Sequence, residues 1–429
     1  VQATRRVAGG PTESIFQPEW GANGALYFVS DASGYWNLWR AAAGTTRPLR
    51  PEQAEFGLPL WNLGMSTYAV LSDGRLLCSW VSHSHWHLGL LDPESGALEP
   101  IVLPYTELSN LRVSGERAVL GAAGPSTSPC LVELDLHTRR HRVLRRFSEV
   151  EIDPAYVSEP RALTFPTSDG KVSHALYYAP KSPVYASVGP SPLLVKSHGG
   201  PTAAASTALN LRIQYYTSRG IGVLDVDYRG STGYGREYRG QLDGRWGVAD
   251  VDDCVHGASY LCERGEADPA RLMISGGSAG GFTTLAALTF RKVFKAGASH
   301  YGVSDLEALA RDTHKFESRY LDRLIGPYPA REDLYRARSP LHHAAQLECP
   351  VVFFQGLEDR VVPPSQTEAM VEALRRKRIP VAYVPFAGEH HGFRRAENIR
   401  RAIEAELAFF ARVLGFELAD ALDIDIENL

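Results

Sequence analysis

Arg271-Leu272-Met273-Ile274-Ser275-Gly276-Gly277-Ser278-Ala279-Gly280-Gly281 is the stretch on which the fold turns. Residues 271–275 read as a buried strand and 279–290 as a helix, so G-x-S-x-G lies in a strand-turn-helix context. A turn this tight has no room for side chains beside the serine, which accounts for Gly276, Gly280 and Gly281. It presents the Ser278 hydroxyl at a helix N-terminus, where the dipole favours developing negative charge. A glycine-rich turn can also serve close packing alone, so its surroundings decide.

Outward from this turn, near-continuous apolar strands alternate with helices. Strands are expected at 193–197, 221–228, 296–303, 350–355 and 381–386, and helices at 248–264, 365–377 and 396–414. That pattern predicts an α/β domain with a mostly parallel, doubly wound sheet covered on both faces, with its chemistry at the carboxyl ends of the strands.

A serine hydroxyl needs a base, and the base needs a carboxylate to orient it. The strand at 350–355 ends in Gly356-Leu357-Glu358-Asp359-Arg360-Val361-Val362-Pro363, and the strand at 381–386 ends in Ala387-Gly388-Glu389-His390-His391-Gly392-Phe393. Nucleophile, acid and base thus follow three separate strands, in the chain order of an α/β-hydrolase. Asp359 is preferred to Glu358 because the shorter carboxylate is the usual partner of imidazole. His391 is preferred to His390 because Gly392 lets the loop bring that imidazole up to Ser278. The oxyanion donors are expected to be the backbone N–H of Ala279 and that of Gly200, in the loop His198-Gly199-Gly200-Pro201 after the strand at 193–197.

Upstream the text changes. Residues 13–147 are short alternating apolar runs broken by Gly, Asn, Asp and Ser, which is β territory. Trp36, Trp86 and Cys130 open similar runs 50 and 44 residues apart, a period that predicts propeller blades of about four strands. Three blades are expected, at 13–52, 56–102 and 104–147; a β-sandwich is the alternative. The domains are therefore read as 1–150, a partial β-propeller, and 151–429, the α/β-hydrolase catalytic domain.

The 429 residues, 44% hydrophobic and 22% charged, suffice for more than one core. With Lys plus Arg at 45 and Asp plus Glu at 49, the net charge is -4, and neither nucleic acid nor an anionic membrane is an expected partner. Five scattered cysteines without a Cys-x-x-Cys pair read as free thiols of a reducing, cytoplasmic compartment. His83, His85 and His87 would share a strand face if extended, and His342-His343 form a pair, but no nearby carboxylate completes a ligand set, so neither metal nor other cofactor is expected. Residue 1 is Val, and three blades fall short of the 4 to 8 that usually close a propeller. The expectation is a chain that continues a longer propeller, or else an open sector whose strand edges would invite homo-oligomer formation.

Together, His198-Gly199-Gly200-Pro201, Asp227-Tyr228-Arg229-Gly230-Ser231-Thr232-Gly233-Tyr234-Gly235-Arg236, Arg245-Trp246-Gly247, the serine turn, the Asp359 to Pro363 loop and His391-Gly392-Phe393 resemble the prolyl oligopeptidase family of serine peptidases, in its acylaminoacyl-peptidase and dipeptidyl-peptidase-like branch. The resemblance covers about residues 155 to 415. It implies a propeller that restricts entry to short peptides, with Ser278, Asp359 and His391 as the triad. It implies that Tyr234, Tyr301 and Val361 contact substrate; Arg229 is equally well read as one half of an internal ion pair. Many relatives carry Arg two residues after the catalytic Asp, whereas this chain has Val361, with Arg360 one place earlier. The expected activity is hydrolysis of short peptides through an acyl-enzyme; the alternatives are a carboxylesterase for small esters and a non-catalytic, propeller-based binding scaffold.

Overall fold

Three antiparallel sheets of four strands each, in chain order, fill the first part of the computed structural model, which describes residues 4–186 and 188–429. Val1, on which the reading of the chain's start rested, lies outside the described residues. The first sheet holds β1–β4 (Ile15–Trp20, Leu26–Ser30, Asn37–Ala42, Thr45–Pro48), and the second β5–β8 (Tyr68–Val70, Leu76–Ser82, His85–Leu91, Leu98–Ile101). The third holds β9–β12 (Glu107–Ser114, Arg117–Gly124, Thr127–Asp135, His141–Arg146). These are the three blades that the period anticipated. Strand alternation makes the second a filling between the others: Leu76 and Cys78 pack with Phe16, Val29 and Leu38 of the first, while Leu77, Leu88 and Leu90 pack with Leu120 and Val132 of the third. Ser82 pairs with His85, so His83 and Ser84, at φ of 50° and 61°, form a two-residue hairpin turn. His83 therefore does not share a strand face with His85 and His87, which corrects the extended reading.

The remaining strands, β13–β20 (Arg161–Pro166, Val172–Tyr178, Ser191–Ser197, Gly222–Asp227, Ala267–Gly277, Ala296–His300, Val351–Gly356, Val381–Phe386), form one sheet in the order β13-β14-β16-β15-β17-β18-β19-β20. From β16 onward the pairings are parallel; β13 and β14 add an antiparallel edge that the sequence reading did not foresee. Both faces are covered. Leu193, Val195, Ile274 and Phe353 point into one core, and Leu194, Met273, Val352 and Phe354 into the other. Helix Ala396–Leu414 closes the second core with Ala402, Ala405, Phe409 and Phe410, and stops at Gly415 in the left-handed region.

The chain divides into two compact units. The first runs to Ile152 and also takes in Ser206–Asn210 and Ser231–Gly240; the second is the remainder. Buried acids explain why those two late segments join the first unit. Glu55 accepts from Trp36 N (2.6 Å) and Gly235 N (3.1 Å). Arg239 reaches Asp31 (2.7 Å) and Glu55 (3.4 Å) and lies over the Trp36 ring. Glu107 accepts from Thr207 N (2.7 Å) and Ser206 Oγ (3.0 Å). Among the described residues no helix is long and apolar enough to cross a membrane.

Candidate active site

The nucleophile turn is built by the exclusion of side chains. A Cβ on Gly280 would stand 2.0 Å from the Ser197 carbonyl oxygen, and one on Gly276 would stand 2.3 Å from that of Gly280, so only glycine fits. Between them Ser278 adopts φ 56° and ψ -121° and precedes helix Ala279–Phe290. Its N–H donates to the His300 carbonyl at 3.0 Å, which fixes the turn to the end of β18.

Three strand ends bring the expected triad together. His391 Nε2 lies 2.8 Å from Ser278 Oγ, and His391 Nδ1 lies 2.8 Å from Asp359 Oδ2. Asp359 is buried, and its Oδ1 accepts from the N–H groups of Val361 (2.8 Å) and Val362 (2.9 Å). Two amides and an imidazole thus aim one carboxylate at Nδ1, which leaves Nε2 to accept the serine proton. The neighbours stand apart: Glu358 and His390 are exposed, and His390 Nδ1 faces the Glu358 carbonyl at 3.1 Å. Val361 meets this site through its backbone, while Arg360 is exposed.

The loop that follows β15 approaches the serine from the other side. A Cβ on Gly199 would lie 3.8 Å from Ser278 Cβ, and Gly200 has φ 119° with the amides of Thr202 and Ala203 close by. The Tyr228 hydroxyl donates to the His198 carbonyl (2.9 Å), and the two rings stack at 4.2 Å. Burial holds the His198 imidazole well down, to about 4, so it is neutral at physiological pH. Thr202 Oγ1 and Tyr320 Oη are 2.7 Å apart. Sequence reasoning missed Tyr320, which sits on the short helix Tyr320–Leu324, far along the chain from the loop it meets and in a segment without a clear period. Ala279 is buried at the first position of its helix.

Tyr301 follows β18 at φ 39°; its ring meets the His391 ring edge-on at 4.9 Å and that of Phe393 at 5.3 Å. Tyr234 belongs to the first unit, where its hydroxyl is 3.2 Å from Ser84 Oγ. Arg229 is buried, with Nη2 2.9 Å from Asp253 Oδ1, so the internal ion pair is the reading that holds for it.

One metal-related expectation needs correction. His342 has carboxylate neighbours after all: Nε2 is 3.1 Å from Glu307 Oε2 and 3.7 Å from Asp305 Oδ1. They come from a different helix and could not be seen as a local motif. Asp305 also caps helix Leu306–Asp312, and Arg336 lies 3.8 Å from Glu307, so a cation already shares this cluster.

Residues 207–417 match the model of the prolyl oligopeptidase family. Among curated proteins, the chain is 33% identical over 232 residues to dipeptidyl aminopeptidase BIII of Pseudoxanthomonas mexicana, which covers 53% of this chain and 34% of that one. It is 30% identical over 281 residues to an acylamino-acid-releasing enzyme of Arabidopsis thaliana, covering 59% and 35%. Among solved structures, a puromycin-hydrolyzing peptidase of Mycobacterium tuberculosis superposes with a TM-score of 0.96 at 45% identity, over 99% of this chain and 65% of that one. The chain thus spans about a third of the length of these curated relatives and just under two thirds of that structure.

Proposed function

Residues 207–417 match the prolyl oligopeptidase family, and from that match we propose that the protein is a serine peptidase that hydrolyses short peptides through an acyl-enzyme. The observation that carries this is the unbroken chain Ser278 Oγ, His391, Asp359, with both links at 2.8 Å. His391 Nε2 takes the hydroxyl proton as Oγ attacks the carbonyl carbon. The resulting oxyanion is held by the N–H groups of Gly200 and Ala279. His391 then gives the proton to the departing amine; water, deprotonated by the same nitrogen, releases the acid and restores Ser278.

The substrate class draws on two kinds of relatives: peptidases that release dipeptides or acylated amino acids by name, and 45%-identical structures named for puromycin hydrolysis. Short peptides and small amides of amino acids are the substrates proposed for this chain. Tyr301, beside the base, is the substrate contact best supported by geometry; Tyr234 and Val361 complete that set. Five free cysteines, three of them buried, favour a reducing cytoplasmic setting, and the net charge of -4 favours neither nucleic acid nor membrane as partner.

Ser278→Ala is the test. Peptidase activity and covalent labelling by a fluorophosphonate both disappear while the thermal midpoint stays within a few degrees; retained labelling defeats the proposal. Rates on blocked and free dipeptide amides, set beside aryl esters of the same acids, then assign the substrate. Faster ester than amide cleavage throughout would make the protein an esterase.

A further inference from the structure

The second unit contains a buried charged cluster that the chemistry above does not use. Glu406, on helix Ala396–Leu414, is fully buried. Its Oε2 pairs with Arg212 Nη2 and lies 2.5 Å from His300 Nε2. Arg212, from helix Leu211–Thr217, also reaches His300 Nε2 at 2.8 Å. The His300 ring lies flat on Phe354, 4.5 Å away and 17° from parallel. Burial alone would raise the Glu406 carboxyl, but Arg212 and His300, with Ser275 alongside, hold it down to about 2. The His300 imidazole is kept below its usual range by burial and then by Arg212.

What the cluster holds is more telling than what it contains. His300 is the last residue of β18, and its carbonyl accepts the Ser278 N–H. The next residue, Tyr301, donates its N–H to the Phe354 carbonyl (2.7 Å) and lays its ring against His391. A Cβ on Gly277 would come within 3.1 Å of the Tyr301 hydroxyl. Ser275 lies on β17, just before the turn. The two consecutive residues 300 and 301 thus touch the nucleophile on one side and the base on the other, and only the imidazole of the first is gripped by charge. A buried ion pair is a poor source of net stability compared with apolar packing. It is a good source of direction, since its hydrogen bonds accept few orientations.

We propose that the Arg212–Glu406 pair acts through His300 as a positioning device, setting the carbonyl that holds the Ser278 turn and the ring that abuts His391. The proposal rests on the serine-peptidase reading above.

The test compares Glu406→Gln, His300→Gln, the doubly neutral Arg212→Met with Glu406→Leu, and the conservative Arg212→Lys. Leu374→Ala, in the core of the same unit, serves as a control for lowered stability alone. Each is assayed well below its own melting midpoint for kcat, KM and the rate of fluorophosphonate labelling. The first three should lose about 10- to 100-fold in kcat and in labelling rate with KM nearly unchanged, as expected of reacting groups displaced by a fraction of an ångström. Arg212→Lys should recover most of the rate, and Leu374→Ala should label at the parental rate. If Glu406→Gln does not fold, the His300 and double variants decide. Folded variants that label as fast as the parent overturn the proposal, and so does a control that slows equally. A parent that does not label at all overturns the peptidase reading beneath it, a distinguishable failure.

Discussion

Both units contain residues other than glycine in the left-handed region, and two of those in the second, Ser278 and Tyr301, sit in a different kind of place. In the first unit they are Gln17, Ala43, His83, Ser84, Asn110 and Arg139, at hairpin turns or where a strand's register shifts. There the twist of the paired strands asks for that backbone, and the cost is small. In the second unit Asp169 takes it in the turn between β13 and β14, and Arg378 and Asn428 outside the strands, but Ser278 and Tyr301 adopt it at the carboxyl ends of parallel strands, where no hairpin requires it. Such residues persist only because their surroundings over-determine them, and here the surroundings are the triad, the glycine turn and the charged cluster. The same backbone deviation marks ordinary corners in both units and, at Ser278 and Tyr301, the two residues that meet His391.

Asp359→Asn should lower kcat about 10⁴-fold by presenting the wrong tautomer to Ser278, with the melting midpoint little changed; a loss below tenfold on a peptide amide would remove the catalytic meaning of the second set. Next in size is Arg239→Met in the first unit. It leaves Glu55 buried without its cation and Asp31 with only Arg236, 3.8 Å away, and urea unfolding should show a loss of about 3 to 5 kcal/mol. A change below 1 kcal/mol would mean that this corner owes nothing to charge.

The third prediction concerns acid. The folded Glu406 carboxyl titrates at about 2, below its ordinary value of 4.5. On acidification the unfolded chain therefore binds the proton first, and this group's contribution, complete above pH 4.5, is lost as pH falls toward 2. Asp250 has the opposite sign: burial raises it to about 6, so the protein gains stability from it as pH falls through 6. Calorimetric midpoints for Glu406→Gln should be flatter than the parent's below pH 4.5, and those for Asp250→Asn flatter between 4 and 6. The smallest effect is at the hairpin corner. Ala43→Asn, which turns the two-residue loop Ala43-Gly44 between β3 and β4 into Asn-Gly, should add roughly 0.5 to 1 kcal/mol and leave kcat alone; a loss of activity would erase the distinction between the two sets.

Much of the second unit could be read from the sequence because its signals are local. Gly276 to Gly281 must form a tight turn wherever they occur, and helices Ala279–Phe290 and Ala396–Leu414 fall where their periods put them. The blades were legible for a different reason: one unit of about 45 residues is written three times. The edge strand β13 was missed because residues 161–166 are mostly exposed, which leaves little apolar alternation to detect; its neighbour β14, buried from Ala175 to Tyr178, carried an apolar run that was not read as a strand. The partners of Glu55, Glu107, Glu406 and His342 were missed on other grounds. A buried acid and its cation obey no spacing rule, and the links from Arg239 to Glu55 and from Arg212 to Glu406 span 184 and 194 residues.

That 184-residue gap also sets an order of events during synthesis. At about 5 to 20 residues per second, Glu55 leaves the ribosome roughly 10 to 40 s before Arg239. Through that interval the nascent sheets β1–β8 have an acid with no cation to enclose beside it. Glu55 gains that cation only when a strap from the middle of the chain, Ser231–Gly240, arrives, directly after β16 has been made.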